Sequence, residues 1–278
     1  MTMKHWIFFP ILVKEEVLKN MDLSDRLSFS KCSKKCRRLL SRVPNHMESF
    51  IIPHGHQCSV DDFSTLITCR KSTVHKLKVA IETAGERDQV NQFLLKLNKV
   101  RSTLKVKFLV MGISPSYSEM HKKSIDSCDP SFIESIEIER IDSQEIYDDI
   151  LKTPQWENSK KVLLNLDFDG LLEVSINDFL HFKFSNMKME ELSVDDAWKL
   201  VQNFVSTKSQ DDHFDIRIRA NSIQGESIRQ KIEAELIGDW KNMGSVGGRY
   251  LRYPENSNRI LAYIRTRNVF YLGLRTLE

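Results

Sequence analysis

The sequence is poor in cysteine, has no long apolar run and carries almost no net charge. Its five cysteines are odd in number and irregularly spaced, which favours free thiols in a reducing compartment over a disulfide framework. No apolar run approaches the ~20 residues that a membrane-spanning helix needs. The net charge of +3 is too small to indicate a nucleic-acid partner by itself. We therefore expect a cytoplasmic and/or nuclear protein with no membrane partner.

Sequence motifs of catalysis are also missing. Neither Gly-x-Ser-x-Gly nor His-Glu-x-x-His occurs in the chain. The glycine-rich residues 244–249 lack the Lys-Ser/Thr ending of a phosphate-binding loop. Cys32 and Cys36, taken with His54-Gly-His-Gln-Cys58, fit no usual order of zinc ligands. We therefore predict no catalytic residues, no metal and no cofactor, and expect that the chain is not an enzyme.

The first forty residues carry many apolar side chains at helical spacing. Pro10 suits the start of a helix, and Val13, Val17, Leu18 and Met21 follow on one face. Asp22 or Ser24 can cap a second helix, whose apolar side consists of Leu23, Leu27 and Phe29. A third helix contains Cys36 and ends before Pro44. Three short helices in about 35 residues make a poor core of their own, so we expect them to dock on a partner or on a larger domain.

These residues resemble an F-box over positions 5–45. The match consists of Phe9-Pro-Ile-Leu-Val13, Met21-Asp22, Leu27 and Cys32-Ser-Lys-Lys35, and it is most similar to the nematode-expanded kind. Leu23 stands where that family often has proline, and Lys31 where it usually has an apolar residue.

The resemblance implies binding to the Skp-type adaptor of a cullin–RING ubiquitin ligase. Helix faces would pack on the partner, with the affinity concentrated in a few buried side chains. The candidate Skp-binding residues are Pro10, Ile11, Val17, Leu18, Met21, Leu23, Leu27 and Phe29. The alternative is that Val17, Leu18 and Leu27 only hold the three helices together.

Residues 46–278 show a rhythm of alternating segments. Strand-like runs start at residues 77, 104, 136, 162, 189 and 214, at intervals of 25–32 residues. Helical patterns lie at residues 89–100, 143–151, 193–205 and 227–240. We predict an α/β fold: a three-helix F-box, then strand–helix units of leucine-rich-repeat-like kind, then a small β meander over residues 249–275. A plain α/β or α+β domain is the alternative, because the strict leucine consensus is missing.

The same region resembles the F-box-associated domain, type 2, of the nematode families. The similarity consists of a strand-like segment at residues 162–168, Asn177-Asp-Phe-Leu180, and Lys188-Met-Glu-Glu-Leu-Ser-Val-Asp-Asp196. It implies that residues 46–278 recruit a protein target. The candidate target-binding residues face outward from predicted strands: Lys105, Lys107, Glu137, Glu139, Arg217 and Arg219.

We therefore interpret the chain as a substrate-recognition adaptor of a Skp–cullin–F-box ubiquitin ligase. A different class of function remains open, that of a basic nucleic-acid- or chromatin-associated protein. It would use the cations of residues 31–42 and the C-terminal arginines. No aromatic side chains interleave with residues 31–42 to stack bases, which argues against a nucleic-acid partner.

Overall fold

The computed structural model describes residues 10–40, 42–52, 72–100, 103–141, 143–165, 173–189, 192–206, 213–219, 222–243, 248–252, 259–265 and 269–276. The chain forms two compact units. The first runs to Ile133 and includes Thr153–Gln155, and the second comprises Glu134–Lys152 and the chain from Trp156 onward. Within the described ranges, every helix is too short or too polar to cross a bilayer.

The described part of the first unit begins with the helices α1 (Ile11–Lys19), α2 (Leu23–Cys32) and α3 (Lys34–Leu40). Helix α1 follows Pro10, which supplies no side-chain cap. Helix α2 is capped by Asp22, whose carboxylate accepts a hydrogen bond of 2.8 Å from the Asp25 amide. Among the side chains of these helices that the structure describes, the buried apolar ones are Leu18, Cys36 and Leu40.

A parallel sheet completes the first unit. Strands β1 (His46–Ile52), β2 (Thr73–Ile81) and β3 (Val106–Ile113) are neighbours in chain order. Their registers align buried residues across the strands, as in the row Phe50, Leu77 and Leu109. The connecting helix α4 (Ala84–Val100) buries the apolar positions that its sequence pattern predicts: Val90, Phe93, Leu94 and Leu97. Helix α5 (Glu119–Asp126) follows β3.

The second unit contains parallel and antiparallel strands. Strands β4 (Ser135–Ile138), β5 (Lys161–Asn165), β6 (Phe184–Met189) and β7 (His213–Arg219) are parallel neighbours in chain order. Beyond β7 the order reverses along the chain, because β11 pairs with β7 and is followed by β10, β9 and β8. These antiparallel strands are β8 (Lys241–Asn242), β9 (Gly248–Arg252), β10 (Arg259–Arg265) and β11 (Val269–Thr276).

Helices α6 (Gln144–Leu151), α7 (Pro154–Asn158), α8 (Val194–Ser206) and α9 (Ser222–Glu235) complete the described elements of regular helix. Trp156 is buried against Phe182, with ring centroids 5.0 Å apart. Glu233 joins α9 to the antiparallel strands, since it accepts hydrogen bonds from Arg249 Nη1 at 2.8 Å and from the Tyr263 hydroxyl.

The mixed α/β class is confirmed, whereas some predicted boundaries are wrong. The strand predicted to start at residue 189 is β6, which ends there, because Ser185 and Asn186 interrupt its apolar pattern. The helix predicted to reach Trp240 ends at Glu235. Gly238, three residues beyond the helix, packs closely against Leu251, since a Cβ at this position would lie 2.5 Å from Leu251 Cδ1. Strand β1 and helix α5 have no counterpart among the predicted elements.

Candidate docking surfaces

Helix α1 exposes most of its apolar side chains. Leu12 is 73% exposed, Ile11 47%, Val13 41% and Val17 40%. Val13 and Val17 lie one turn apart and share a face, and Leu12 lies beside that face. We name Ile11, Leu12, Val13 and Val17 the α1 patch. The α1 patch differs in this respect from an ordinary surface, which carries apolar residues singly and scattered.

The predicted Skp-binding residues occupy different environments. Pro10 is exposed and adjoins the α1 patch, to which Ile11 and Val17 belong. Leu18 has no exposed surface and packs inside the unit. Met21 and Phe29 are half-buried. Leu23 and Leu27 lie in α2, and their side chains fall outside the described part of the structure.

Arg26 ties the end of α1 to the start of β1. Its guanidinium donates hydrogen bonds to the carbonyls of Lys19 and Met21, at 2.6 and 3.0 Å. It also donates to the Pro44 carbonyl at 3.4 Å and to Asn45 Oδ1 at 2.5 Å. Burial lowers the pKa of Arg26, although a guanidinium remains charged at neutral pH. The arginine therefore fixes the helices that carry the α1 patch to the sheet of the first unit.

A cavity of about 450 Å³ lies beside this arginine. Its lining includes Met21, Arg26 and His46, so both the helices and β1 contribute to it. Since Met21 is only half-buried, the cavity offers an apolar side chain close to the guanidinium. The arrangement is large enough to receive a side chain of another protein.

A second cavity, of about 310 Å³, opens at the start of the parallel strands of the first unit. His46, Thr73, His75, Lys107 and Phe132 are among its lining residues. His46 Nδ1 lies 2.7 Å from Thr73 Oγ1, and His75 Nε2 lies 3.8 Å from a carboxylate oxygen of Glu48. Of the predicted target-binding residues, Lys107 lines this cavity, and Lys105 lies two positions earlier, directly before β3.

The other predicted target-binding residues lie in the second unit. Glu137 is half-buried on β4, and Glu139 follows the end of that strand. Arg217 is exposed on β7, opposite Tyr271 of β11. The side chain of Arg219 falls outside the described residues. Glu137 pairs with Leu163 of β5, Leu163 with Asn186 of β6, and Asn186 with Asp215 of β7. Arg217 lies two residues further along β7, so it is not level with Glu137. These charges therefore do not form one cluster.

Metal-binding groups are absent from the part of the chain that the structure describes, where no three His, Cys, Asp or Glu side chains are placed to hold an ion. Cys32 is exposed, and Cys36 is buried with Ser33 Oγ donating to its sulfur at 3.2 Å. The histidines and the cysteine of residues 54–58, and the glycine-rich residues 244–247, lie outside the described residues.

Sequence reasoning missed two features of these surfaces. Leu12 was detectable, because three consecutive apolar residues, Ile11 to Val13, cannot all face inward from one helix. The role of Arg26 could not have been predicted, because nothing about a single arginine in a short polar helix indicates that it contacts four oxygens.

Comparison with protein families gives two matches. The model of the F-box domain matches residues 6–48, and the model of the FTH domain matches residues 87–230, more than half of the chain. No curated protein and no solved structure matches the chain. The F-box implies, in general terms, an adaptor role in an SCF ubiquitin ligase, in which a Skp-type protein and a cullin are the partners. The chain belongs to the FTH-domain family, the nematode F-box-associated type, and carries an F-box domain ahead of that domain.

Proposed function

We propose that this protein is a non-enzymatic substrate-recognition adaptor of a Skp–cullin–F-box ubiquitin ligase. Its F-box, residues 5–45, binds the Skp-type adaptor. Residues 46–278 bind a protein target and hold it near the ubiquitin-charged enzyme. Ubiquitination is faster because the target's effective concentration near that enzyme is raised. The chain therefore needs no catalytic group of its own.

The α1 patch carries the first half of this proposal. Its four side chains are exposed on one short helix, while Leu18 of the same helix is completely buried. Leu18 therefore anchors α1 within its own unit, and the patch remains for the partner. A helix that presents adjacent apolar side chains suits packing against the helices of a second protein.

The second half of the proposal concerns the sheet surfaces. In each unit the parallel strands are neighbours in chain order and keep one register, which supports the leucine-rich-repeat-like interpretation. Such strands form rows of side chains on which an extended segment of a target can lie. The proposed contacts are the six residues Lys105, Lys107, Glu137, Glu139, Arg217 and Arg219.

The test is direct binding of the full chain to a purified Skp-type adaptor by calorimetry. The double variant Leu12→Glu/Val13→Glu puts two carboxylates into the proposed interface. Buried interface anchors each contribute about 2 kcal/mol or more, so we expect the affinity to fall by a factor on the order of 100 or more.

Leu95→Glu is the matched control. Leu95 is 60% exposed on α4, so this substitution adds charge at an apolar surface position outside the α1 patch. We expect the control to bind as the wild type does, and circular dichroism to show all three proteins folded. Undiminished binding by the double variant would refute the assignment of the α1 patch.

A further inference from the structure

We propose that helix α3 attracts an acidic surface of the Skp-type partner and thereby speeds the association of that partner with the α1 patch. This inference rests on the proposed function and specifies the chemistry of its first partner. The surface, which we name the α3 basic face, consists of four exposed cations: Lys34, Lys35, Arg37 and Arg38. Arg42, also exposed, follows two residues beyond the end of the helix.

The α3 basic face lies opposite the buried side of its helix. Cys36 and Leu40 are buried and share one side, since they lie about one turn apart. Lys34 and Arg38 are also one turn apart, and at 3.6 residues per turn they point away from Cys36 and Leu40. The other two cations flank them. The charges of α3 therefore face solvent from one side of the helix, while its other side packs within the unit.

The positive charge of the opening helices is concentrated on and just after α3. Residues 10–33 contain four lysines and arginines and four aspartates and glutamates, so they carry no net charge. Residues 34–45 contain five lysines and arginines, and no Asp or Glu occurs between Asp25 and Glu48. Since the whole chain carries a net charge of only +3, this excess of +5 is a local feature and not the average of the chain.

The arrangement of these charges disfavours the helix that carries them. Lys34 and Arg38 are four residues apart, and like charges at this spacing destabilise a helix. Lys34 and Lys35 also lie in the first turn, where the helix dipole favours carboxylates, as in α2 with Asp25. A local arrangement that opposes its own helix is typical of a functional site. The charge of α3 therefore points to a partner of opposite charge.

The position of α3 connects its charge to the α1 patch. Helices α1 and α3 are in contact within the first unit, and a helix is about 10–12 Å wide with its side chains. Exposed charges act over about 10 Å at an ionic strength of 0.1 M. A protein that approaches the α1 patch thus enters the field of the α3 basic face, which draws in an acidic surface and slows a basic one. Helix α3 has no aromatic side chain on which a base could stack, which favours an acidic protein over single-stranded nucleic acid.

The experiment measures the association and dissociation rates of the full chain with a labelled, purified Skp-type adaptor by stopped-flow fluorescence. The variant Lys34→Gln/Lys35→Gln/Arg37→Gln removes three charges and keeps good helix formers in α3. At an ionic strength of about 0.01 M, where charges act over about 30 Å, we expect its association rate to be about tenfold below that of the wild type. Its dissociation rate should change less than about twofold, because charges outside the buried contact act mainly on association. At about 1 M, where the range is about 3 Å, the two association rates should be equal.

Two control variants separate the effect of the α3 basic face from that of net charge and of side-chain shape. Lys160→Gln/Lys183→Gln/Lys241→Gln removes three exposed lysines from the second unit, and its association rate should stay within about twofold of the wild type. Lys34→Arg/Lys35→Arg changes the shape of the side chains but keeps the charge, and it should associate as the wild type does. Circular dichroism should show every variant folded, since all the substituted side chains are exposed.

Three results would overturn the inference and leave the proposed function standing, because in each of them the wild type binds the adaptor. The first is an equal loss of association rate in the α3 and second-unit variants, which would show attraction to net charge alone. The second is an α3 variant that associates as fast as the wild type at low ionic strength. The third is tighter binding of the wild type to a short DNA duplex than to the adaptor, which would make nucleic acid the occupant of α3. A wild type that does not bind the adaptor at all would instead refute the proposed function, and this inference with it.

Discussion

Helices α1 and α8 make opposite use of their apolar residues. Helix α8 buries Ala197, Leu200 and Val201, each at most 1% exposed, and thereby contributes a full stripe to the core of its unit. Helix α1 buries Leu18 alone and leaves Leu12 73% exposed. The difference shows that hydrophobic content does not measure a helix's contribution to its own core. In α1, most of that content is exposed.

The two helices also differ in how they begin. Ser193 caps α8, since its hydroxyl accepts from the Asp196 amide at 3.0 Å and donates to the Asp196 carboxylate at 2.8 Å. Helix α1 begins after Pro10 without a side-chain cap. It is held chiefly by Leu18 and by the hydrogen bonds of Arg26 at its C-terminal end. Under the proposed function, a partner that packs on α1 would stabilise a helix that the chain itself holds by few contacts.

The largest expected effect compares two leucine truncations. Leu200→Ala leaves a cavity in the core and should lower the free energy of unfolding by about 2–5 kcal/mol. Leu12→Ala removes a side chain that is already largely in water, so its cost should stay within about 0.5 kcal/mol. Urea unfolding followed by circular dichroism measures both. A loss of more than 2 kcal/mol for Leu12→Ala would contradict the contrast between the helices.

Much of the sheet is predictable from the sequence, because half-buried strands alternate. Strands β2 and β7 contain the alternating segments that start at residues 77 and 214. Strand β1 was missed because its burial does not alternate regularly: Glu48 and Ser49 are both exposed in succession. Helix α5 was missed because it buries the polar Ser124, which donates to the Met120 carbonyl at 2.7 Å. Hydropathy does not detect polar groups that are satisfied in this way.

The candidate sites were less predictable than the fold. Ile11 and Val17 were identified from the family pattern, and both are exposed. The sequence does not distinguish them from Leu18, since all three belong to one apolar run and burial depends on what packs against each side of the helix. Likewise, Lys107 and His75 lie 32 residues apart in the sequence, and only the register of β2 with β3 brings them to one cavity.

The burial of the Cys128 thiol predicts that the protein loses stability at alkaline pH. Burial in the first unit raises the pKa of the Cys128 thiol to about 12 from its ordinary value of 9.0. A group with a raised folded-state pKa stabilises the fold fully below pH 9 and loses that contribution as the pH rises from 9 to 12. We expect a loss of about 1 kcal/mol for each pH unit above 9. Urea unfolding at pH 8, 9 and 10 measures it.

Cys128→Ala is the control for this titration. It removes the ionisable group, so its stability should fall less steeply above pH 9 than that of the wild type. Burial raises the pKa of Tyr147 above its ordinary value of 10.0 as well, and the part of the decline that starts above pH 10 should persist in Cys128→Ala. Identical slopes for the two proteins between pH 9 and 10 would contradict the assignment to the thiol.

Substitution of Arg26 tests whether its hydrogen bonds hold α1 in its unit, since α1 has no stripe of buried apolar side chains that could do so. Arg26→Met keeps much of the side-chain volume but leaves the oxygens of Lys19, Met21 and Asn45 without their guanidinium donor. Because the site is partly buried, we expect a cost of about 1–3 kcal/mol. Hydrogen exchange should locate the loss of protection in α1 and α2. Lys14→Met, a cation on α1 itself, is the matched control. Unchanged protection of α1 in Arg26→Met would show that Leu18 suffices to hold the helix.

The smallest effect concerns the capped helix. Ser193→Ala removes the hydroxyl that accepts from the Asp196 amide, and it should lower the stability of the second unit by about 1 kcal/mol. Ser193→Asp restores an acceptor at the same position and should recover most of the loss, although its charge lies close to Asp196. Thermal unfolding of the two variants measures the difference.

A helix with a full buried stripe should tolerate the loss of its cap without fraying beyond the first turn, so protection from hydrogen exchange at Leu200 and Val201 should remain at the wild-type level. If protection at those two residues fell as well, the stripe of α8 would depend on its cap, and the contrast with α1 would be one of capping rather than of burial.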